Sequence, residues 1–235
     1  MARNIGIILA GGKGVRFKAD IPKQFVKIAG KTVLEHTVEV FCRCDAIDEI
    51  AIVVCPEYIE TVESFIIKND WIKVKKVLAG GAERYMSSFA AIEAYRNEPD
   101  VNLIFNDAVR PLLTVSVVEK VINALDMYDA VNVAVPATDT IIEIDTETKH
   151  IKSIPKRSSL YMGQTPQGFK LSVLDKAYRI AFKDKEFTAT DDCGVVKKYL
   201  PDVDIYVVDG LTYNLKLTNA EDLFLFEKLF HLNSL

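Results

Sequence analysis

Strand-like and helix-like segments alternate along most of this 235-residue chain, and that alternation constrains its fold more than any other feature. Ile5 to Leu9 is an apolar run of strand type, and Thr32 to Cys44 carries Leu34, Val38 and Phe41 at helical spacing. Thr32-Val-Leu-Glu35 is a capping-box start for that helix. Ile50 to Val54 predicts a buried strand, and Pro56 suits the first turn of a helix reaching Lys68. Val74–Leu78, Val101–Phe105 and Ala130–Val135 predict further strands. Between them, helices are expected over Glu83–Arg96 and from a second capping box, Ser116-Val-Val-Glu119. This repetition predicts an α/β fold, with a mostly parallel sheet covered by helices on both faces. Ligands in such sheets bind outside the carboxyl ends of the strands.

The pattern changes after Val135. Thr140–Ile144 and His150–Ile154 are short strand-like pieces flanking Asp145-Thr-Glu-Thr-Lys149, which predicts a β-hairpin arm over 137–159. An exposed hairpin is marginal alone, so the arm is expected to pack on something, a second subunit included. Helices are expected over Ser172–Phe182, from Thr190 as a cap, and from the capping segment Thr218-Asn-Ala-Glu221. Ile205–Val208 and Tyr213–Leu217 are expected as strands. With no internal repeat or linker, residues 1–235 read as one domain with an arm.

The first strand empties into Leu9-Ala-Gly-Gly-Lys-Gly-Val-Arg16, followed by Pro22-Lys23-Gln24. Glycines let backbone approach a ligand closely, and successive free N–H groups form a concavity suited to oxyanions. Lys13, Arg16 and Lys23 add positive charge. The stretch reads either as a phosphate site or as an ordinary glycine turn between strand and helix. It is not a P-loop, because Gly30-Lys31-Thr32 is preceded by Phe25 where the first glycine belongs. It is not a dinucleotide fingerprint either, because Phe17 stands where the third glycine belongs. Gly80-Gly81 and Asp107 also fall at strand carboxyl ends, placing them at the same mouth.

A formal net charge of −4 argues against a general nucleic-acid binder, so basic clusters here point to small anions. No apolar run approaches the ~18 residues that span a bilayer. Met-Ala-Arg-Asn runs into the first strand with no signal-peptide pattern. Cys42, Cys44, Cys55 and Cys193 have neither metal nor disulfide spacing and read as packing residues. The expected location is the cytoplasm, with no membrane and no nucleic-acid partner.

Asp107 closes a strand beside the glycine loop, where it reads as a Mg²⁺ ligand or as a cap for the next segment. Lys216, in Asn214-Leu-Lys216-Leu-Thr218, reads as an edge-strand gatekeeper or a site residue. His36, His150 and His231 lie beside no nucleophile or carboxylate cluster, which argues against a hydrolase triad. The remaining vocabulary of Arg, Lys, Thr, Ser and Asp suits phosphoryl or nucleotidyl transfer.

Over nearly its whole length the chain resembles the cytidylyltransferases that join CTP to a polyol phosphate. The motifs are Leu9-Ala-Gly-Gly-x-Gly-x-Arg16, Pro22-Lys23-Gln24, Gly80-Gly81-x-Glu-Arg84, Asp107-Ala-Val-Arg-Pro111, Asp139-Thr140, Arg157, Gln164-Thr-Pro-Gln167, Thr190-Asp191 and Asn214-Leu-Lys216-Leu-Thr218. The resemblance implies a Rossmann-like nucleotidyltransferase that dimerises through the arm. It implies that Arg16, Lys23 and Lys216 serve the triphosphate and the transition state, and that Asp107 associates with Mg²⁺. Leu9, Ala10, Gly11, Gly12, Lys13, Gly14, Gly80, Gly81, Arg84 and Ser87 would cradle CTP. Arg110, Thr140, Arg157, Thr165 and Thr190 would hold the acceptor, with Thr140 and Arg157 serving the partner's site. Two branches use different acceptors, methylerythritol phosphate and ribitol phosphate. Tyr213 stands where the methylerythritol branch usually has Asp, and Ile154-Pro-x-Arg157-x-x-x-Tyr161-x-Gly-Gln-Thr-Pro-Gln167 resembles the ribitol branch. Asn106 in place of a common His and Ala82 in place of a common acidic residue are further departures. Two other readings compete: a UTP- or GTP-using relative acting on a sugar 1-phosphate, and a non-enzymatic nucleotide-binding protein on the same fold.

Overall fold

A computed structural model describes residues 2–12, 17 and 21–233. Ile5, Ile7 and Leu9 of strand β1 (Arg3–Ala10) face one side of a sheet, and Ile8 and Ala10 face the other. From Ile5 onward the strand carries no polar side chain because both faces are covered, as a central parallel strand requires. The other strands of this sheet are β4 (Glu49–Val54), β5 (Val74–Ala79), β6 (Val101–Asp107), β7 (Ala130–Pro136), β10 (Tyr161–Lys170) and β11 (Ile205–Asp209), in spatial order β11-β7-β10-β6-β1-β4-β5. Two short pairs lie apart from it: β2 (Lys27–Ile28) with β3 (Lys31–Thr32), and β8 (Glu143–Ile144) with β9 (Ile151–Ser153).

Helices α1 (Val33–Arg43), α2 (Ile59–Asn69) and α4 (Val115–Leu125) pack on one face. Helices α3 (Arg84–Tyr95), α5 (Leu171–Ala181) and α6 (Asp192–Tyr199) cover the other. A smaller cluster of Ile28, Val33, Val109, Leu112, Leu217 and Phe226 seats α7 (Asp222–Asn233). The expected α/β architecture with a mostly parallel sheet is present, and the arm is the β8–β9 hairpin.

The Thr32 capping box forms as expected. Thr32 Oγ1 accepts from the Glu35 amide at 3.1 Å, and Glu35 Oε2 accepts from the Thr32 amide at 2.7 Å. Three other expected caps differ. The helix expected to be capped by Ser116 starts two residues earlier, with Thr114 as N-cap and no side-chain cap bond. Asp191, not Thr190, caps α6, its Oδ1 accepting from the Gly194 amide at 2.8 Å. At α7 the Asp222 carboxylate accepts from the amides of Thr218 and Asn219, both at 2.8 Å. In the last two cases Asp supplies the acceptor because its charge complements the helix N-terminus.

Two elements depart from expectation more deeply. Tyr213–Leu217 is irregular, held by a bond from the Leu217 amide to the Val109 carbonyl at 2.9 Å. Conversely, Tyr161–Lys170, rich in Gly, Gln, Thr and Pro, is a ten-residue strand antiparallel to both β6 and β7 in the middle of the sheet. Its register slips between Gln164 and Gln167, around Pro166, which has no N–H to pair.

Candidate active site

The site is built where β1, β5 and β6 end. Beyond Ala10 the chain turns through Gly11 and Gly12, and the Ala10 carbonyl accepts from Gln24 Nε2 at 2.7 Å. Gln24 belongs to a 3-10 turn over Lys23–Phe25, so the Pro22-Lys23-Gln24 motif is pinned to the end of the first strand. Lys23 is buried, with Nζ donating to the Leu217 carbonyl at 2.9 Å. Leu217 follows Lys216, so the chain's opening and its last motif meet through this contact. Lys13, Gly14 and Arg16 lie outside the described residues.

The described glycines at the mouth serve close approach; none of them adopts positive φ. A Cβ on Gly80 would lie 2.8 Å from Ser87 Oγ, and one on Gly11 would lie 3.0 Å from the same atom. The buried Ser87 hydroxyl on α3 thus sits between the two turns. Gly81 is closed off by Met86, whose Cβ lies 2.2 Å from where a side chain would begin, and a Cβ on Gly12 would meet nothing within 4 Å among the described residues. Cys55 Sγ donates to the Gly11 carbonyl at 3.0 Å and holds the turn from the β4 side.

Leu9, Ala10, Gly11, Gly12, Lys23, Gly81, Arg84, Asp107 and Lys216 line one pocket at this mouth, together with Gln24, Ala82, Glu83 and Val109. Asp107 is 7% exposed and sits between two cations. Lys216 Nζ lies 2.7 Å from Oδ2, and Arg84 Nε lies 3.4 Å from Oδ1. Burial pushes the Asp107 carboxyl up, but Arg84 and Lys216 outweigh it and hold the group well below the usual carboxylate range. Burial likewise pulls Arg84 down, while Asp192 and Asp107 overcome it and raise it. The Asp107 carboxylate is therefore ionised, and this part of the mouth carries two cations against one anion.

The antiparallel strand brings the acceptor-side candidates alongside. Thr165 Oγ1 accepts from the Asp107 amide at 3.1 Å and donates to Asn106 Oδ1 at 2.8 Å. Arg110 Nη1 donates to the Asn214 carbonyl at 2.7 Å. Asn214, fully buried, donates from Nδ2 to the Thr165 carbonyl at 3.0 Å. Arg110 Nε and Asn214 Oδ1 are buried with no partner among the described residues. Thr190 is exposed just before α6. Thr140 and Arg157 are exposed on the arm and do not line this pocket; Arg157 Nη1 donates to the Thr138 carbonyl at 3.2 Å.

Gln167 and Asp192 hold the site together, and nothing in local spacing singles them out as site residues. Gln167 Nε2 donates to Asp191 Oδ2 at 2.8 Å, and Gln167 Oε1 accepts from the Asp192 amide at 3.2 Å. Asp192 is fully buried and pairs with Arg84 Nη1 at 2.7 Å. The available signal was the doubled acid in Thr190-Asp191-Asp192, where one carboxylate caps the helix and the other is left to pair.

Residues 5–231 match the family model described as IspD, 2-C-methyl-D-erythritol 4-phosphate cytidylyltransferase. The chain is 47% identical over 233 residues to the bifunctional ribulose 5-phosphate reductase/CDP-ribitol pyrophosphorylase Bcs1 of Haemophilus influenzae, covering 99% of this chain and 49% of that protein. It therefore spans about half the length of that relative. It is 38% identical over 226 residues to the 2-C-methyl-D-erythritol 4-phosphate cytidylyltransferase of Thermobifida fusca, covering 94% of this chain and 91% of that one. Among solved structures, 4-diphosphocytidyl-2C-methyl-D-erythritol synthase from Anaerococcus prevotii superposes with a TM-score of 0.86 at 28% identity, over 98% of this chain and 96% of that one. The match runs through every strand of the central sheet and every residue of the described mouth, and the chain belongs to the 2-C-methyl-D-erythritol 4-phosphate cytidylyltransferase family.

Proposed function

We propose that this protein transfers CMP from CTP to D-ribitol 5-phosphate, giving CDP-ribitol and pyrophosphate. The observation that carries the nucleotidyl-transfer reading is the convergence of Lys23, Lys216, Arg84 and Asp107 on one glycine-walled mouth. The choice of acceptor rests on the Tyr213-Asn-Leu-Lys216 segment and on the 47% identity to a relative named for CDP-ribitol.

The acceptor phosphate is already anionic, so its attack needs no general base. An acceptor phosphate oxygen forms a bond to the α-phosphorus of CTP while the bond from that phosphorus to the bridging oxygen breaks. The electron pair leaves with pyrophosphate. The repulsion between two anions is the barrier that the chain addresses. In this reading Lys23 and Lys216 screen that charge, and Arg16 joins them from the loop. Gly11, Gly12, Gly80, Gly81 and Ser87 bring backbone against the nucleotide. Thr165 and Arg110, with Thr190, orient the acceptor.

Asp107 also fits a Mg²⁺ ion. Among the described residues no cluster of three His, Cys, Asp or Glu side chains could hold a metal alone. Mg²⁺ commonly takes one or two carboxylates and completes its shell with substrate phosphates and water. Lys216 takes Oδ2 closely, and among the described residues Oδ1 has only the long Arg84 contact, so the Asp107 carboxylate would have an oxygen left for the ion. When bound there, Mg²⁺ would supply further charge neutralisation on the phosphates.

The arm supports a homodimer. Ile141, Ile142, Ile144, Ile151 and Ile154 are all more than a third exposed, an apolar load that a lone hairpin does not bury. In the dimer reading, Thr140 and Arg157 reach the partner's acceptor side. Among the described residues no helix is long and apolar enough to cross a membrane, and we place the enzyme in the cytoplasm.

The test is CTP-dependent pyrophosphate release with ribitol 5-phosphate against 2-C-methyl-D-erythritol 4-phosphate. Turnover with ribitol 5-phosphate is expected to dominate. Turnover confined to the methylerythritol phosphate would overturn the acceptor and favour the second reading, which the family model and the Thermobifida relative support. No pyrophosphate release with either acceptor would overturn the enzyme itself.

A further inference from the structure

A chain of alternating charge runs from the protein interior into the mouth. It begins at Tyr178, whose hydroxyl donates to Asp192 Oδ1 at 2.6 Å. Asp192 Oδ2 accepts from Arg84 Nη1 at 2.7 Å, Arg84 Nε reaches Asp107 Oδ1 at 3.4 Å, and Asp107 Oδ2 accepts from Lys216 Nζ at 2.7 Å. Arg84, Asp107 and Lys216 line the pocket, and Asp192 does not.

The two contacts of Arg84 are unequal, and the inequality carries the inference. A guanidinium is a rigid planar fork that prefers a carboxylate at close range. Arg84 gives its close contact to the fully buried Asp192 and only a long one to Asp107. Asp192 is itself immobilised by the Tyr178 hydroxyl and by its own amide, which donates to Gln167 Oε1 at 3.2 Å. The guanidinium is thus anchored from behind. Without that anchor the nearest carboxylate for Arg84 among the described residues is Asp107, and a full ion pair there would compete with Lys216 for the same group.

We propose that Asp192 is a positioning residue for nucleotidyl transfer: it tethers Arg84 at a distance from Asp107, so that Asp107 stays with Lys216 and open to the reacting phosphates. This rests on the reading of Asp107 and Lys216 as parts of the CTP site. Asp192 touches neither substrate and acts only through Arg84. The same α6 terminus is tied to β10 by Gln167, so the tether also links the nucleotide half of the site to the strand that carries Thr165.

The experiment is a double-mutant cycle between Asp192→Asn and Arg84→Gln, with kcat, CTP affinity by titration calorimetry and the melting curve recorded for each variant. Asp192→Asn is expected to lower kcat about 10–100-fold, the usual cost of losing an outer partner of a site residue, while CTP affinity stays within about threefold. In the Arg84→Gln background the same substitution is expected to have no further effect on kcat. Equal losses in both backgrounds would overturn the proposal, as would a loss that merely follows the unfolded fraction. If Asp192→Asn does not fold, Tyr178→Phe replaces it in the cycle, with a smaller kcat loss expected and the same criterion of non-additivity. Asp107→Asn is run alongside: full activity in that variant would sink the site reading itself, a result distinct from failure of the tether.

Discussion

Lys216 Nζ lies 2.7 Å from Asp107 Oδ2, joining two residues 109 positions apart at the mouth of the sheet. Neither residue is explained by its local segment. Lys216 sits in an irregular stretch rather than a strand, so it has no edge to guard, and among the described residues the Asp107 side chain accepts no helix-capping bond. The pair makes sense as a cation held ready by a carboxylate. Lys216→Ala is expected to lower kcat about 10²–10³-fold, the scale of losing one preorganised donor in a transition-state site. Initial-rate measurements, with circular dichroism to confirm the fold, check this.

Lys23 presents a second cation to the same pocket while its Nζ is anchored on the Leu217 carbonyl. Lys23→Ala should cost about 10²–10³ in turnover for the same reason. A near-wild-type rate from a folded variant would remove Lys23 from the transition-state assignment.

The close approach of Ser87 to the Gly80 turn predicts a nucleotide-binding defect rather than a folding defect. A methyl group at position 80 would start 2.8 Å from the flexible Ser87 hydroxyl, with backbone no nearer than the Val54 carbonyl at 3.4 Å. Gly80→Ala is therefore expected to displace Ser87, raise the KM for CTP and cost at most about 1–3 kcal/mol of stability, the usual range for overpacking. Steady-state kinetics and urea denaturation separate the two effects. At Gly81 the clash is with Met86 Cβ at 2.2 Å, so Gly81→Ala should be the more disruptive of the two.

Glu35 predicts an acid-sensitive stability. It is 2% exposed, and burial alone would raise its pKa. The Thr32 amide, Lys68 and Asn69 outweigh burial and bring the group from 4.5 down to about 2. Because the folded-state pKa is depressed, the contribution to stability is complete above pH 4.5 and is lost as pH falls toward 2. At about 1.4 kcal/mol per unit, the full effect is on the order of 3 kcal/mol. Glu35→Gln should destabilise the protein at pH 7, and its difference from the wild type should shrink steadily below pH 4.5. Urea titrations at stepped pH measure both, and a constant difference would refute the linkage.

Much of the site was legible because its parts are short segments at strand ends. The runs Ile5–Leu9, Val74–Leu78 and Val101–Phe105 each deliver a motif to the carboxyl edge, and in a mostly parallel sheet those edges meet. Gly11, Gly80 and Asp107 thus converge on one mouth by their places in the sequence alone. The purpose of the glycines could not be read this way, since a short residue needed for space and one needed for positive φ look alike in sequence. The Thr32 box was legible because both its bonds are local. The boxes expected at Ser116 and Thr218 match the same spacing, but other groups occupy those helix ends.

The sequence by itself determined the layered α/β architecture, the hairpin arm and the gathering of the strand-end motifs at one mouth. Periodicity and turn chemistry are local, and a motif's composition goes wherever its strand ends. Only the tertiary structure decided that Tyr161–Lys170 runs antiparallel through the centre of the sheet. Gln164, Thr165 and Gln167 are buried there because each finds a hydrogen-bond partner far away in the chain, and no apolar period marks such a strand. The same holds for Asp192. Its burial is tolerable only because Arg84 and Tyr178 converge on it from other helices, and that convergence belongs to the packed fold.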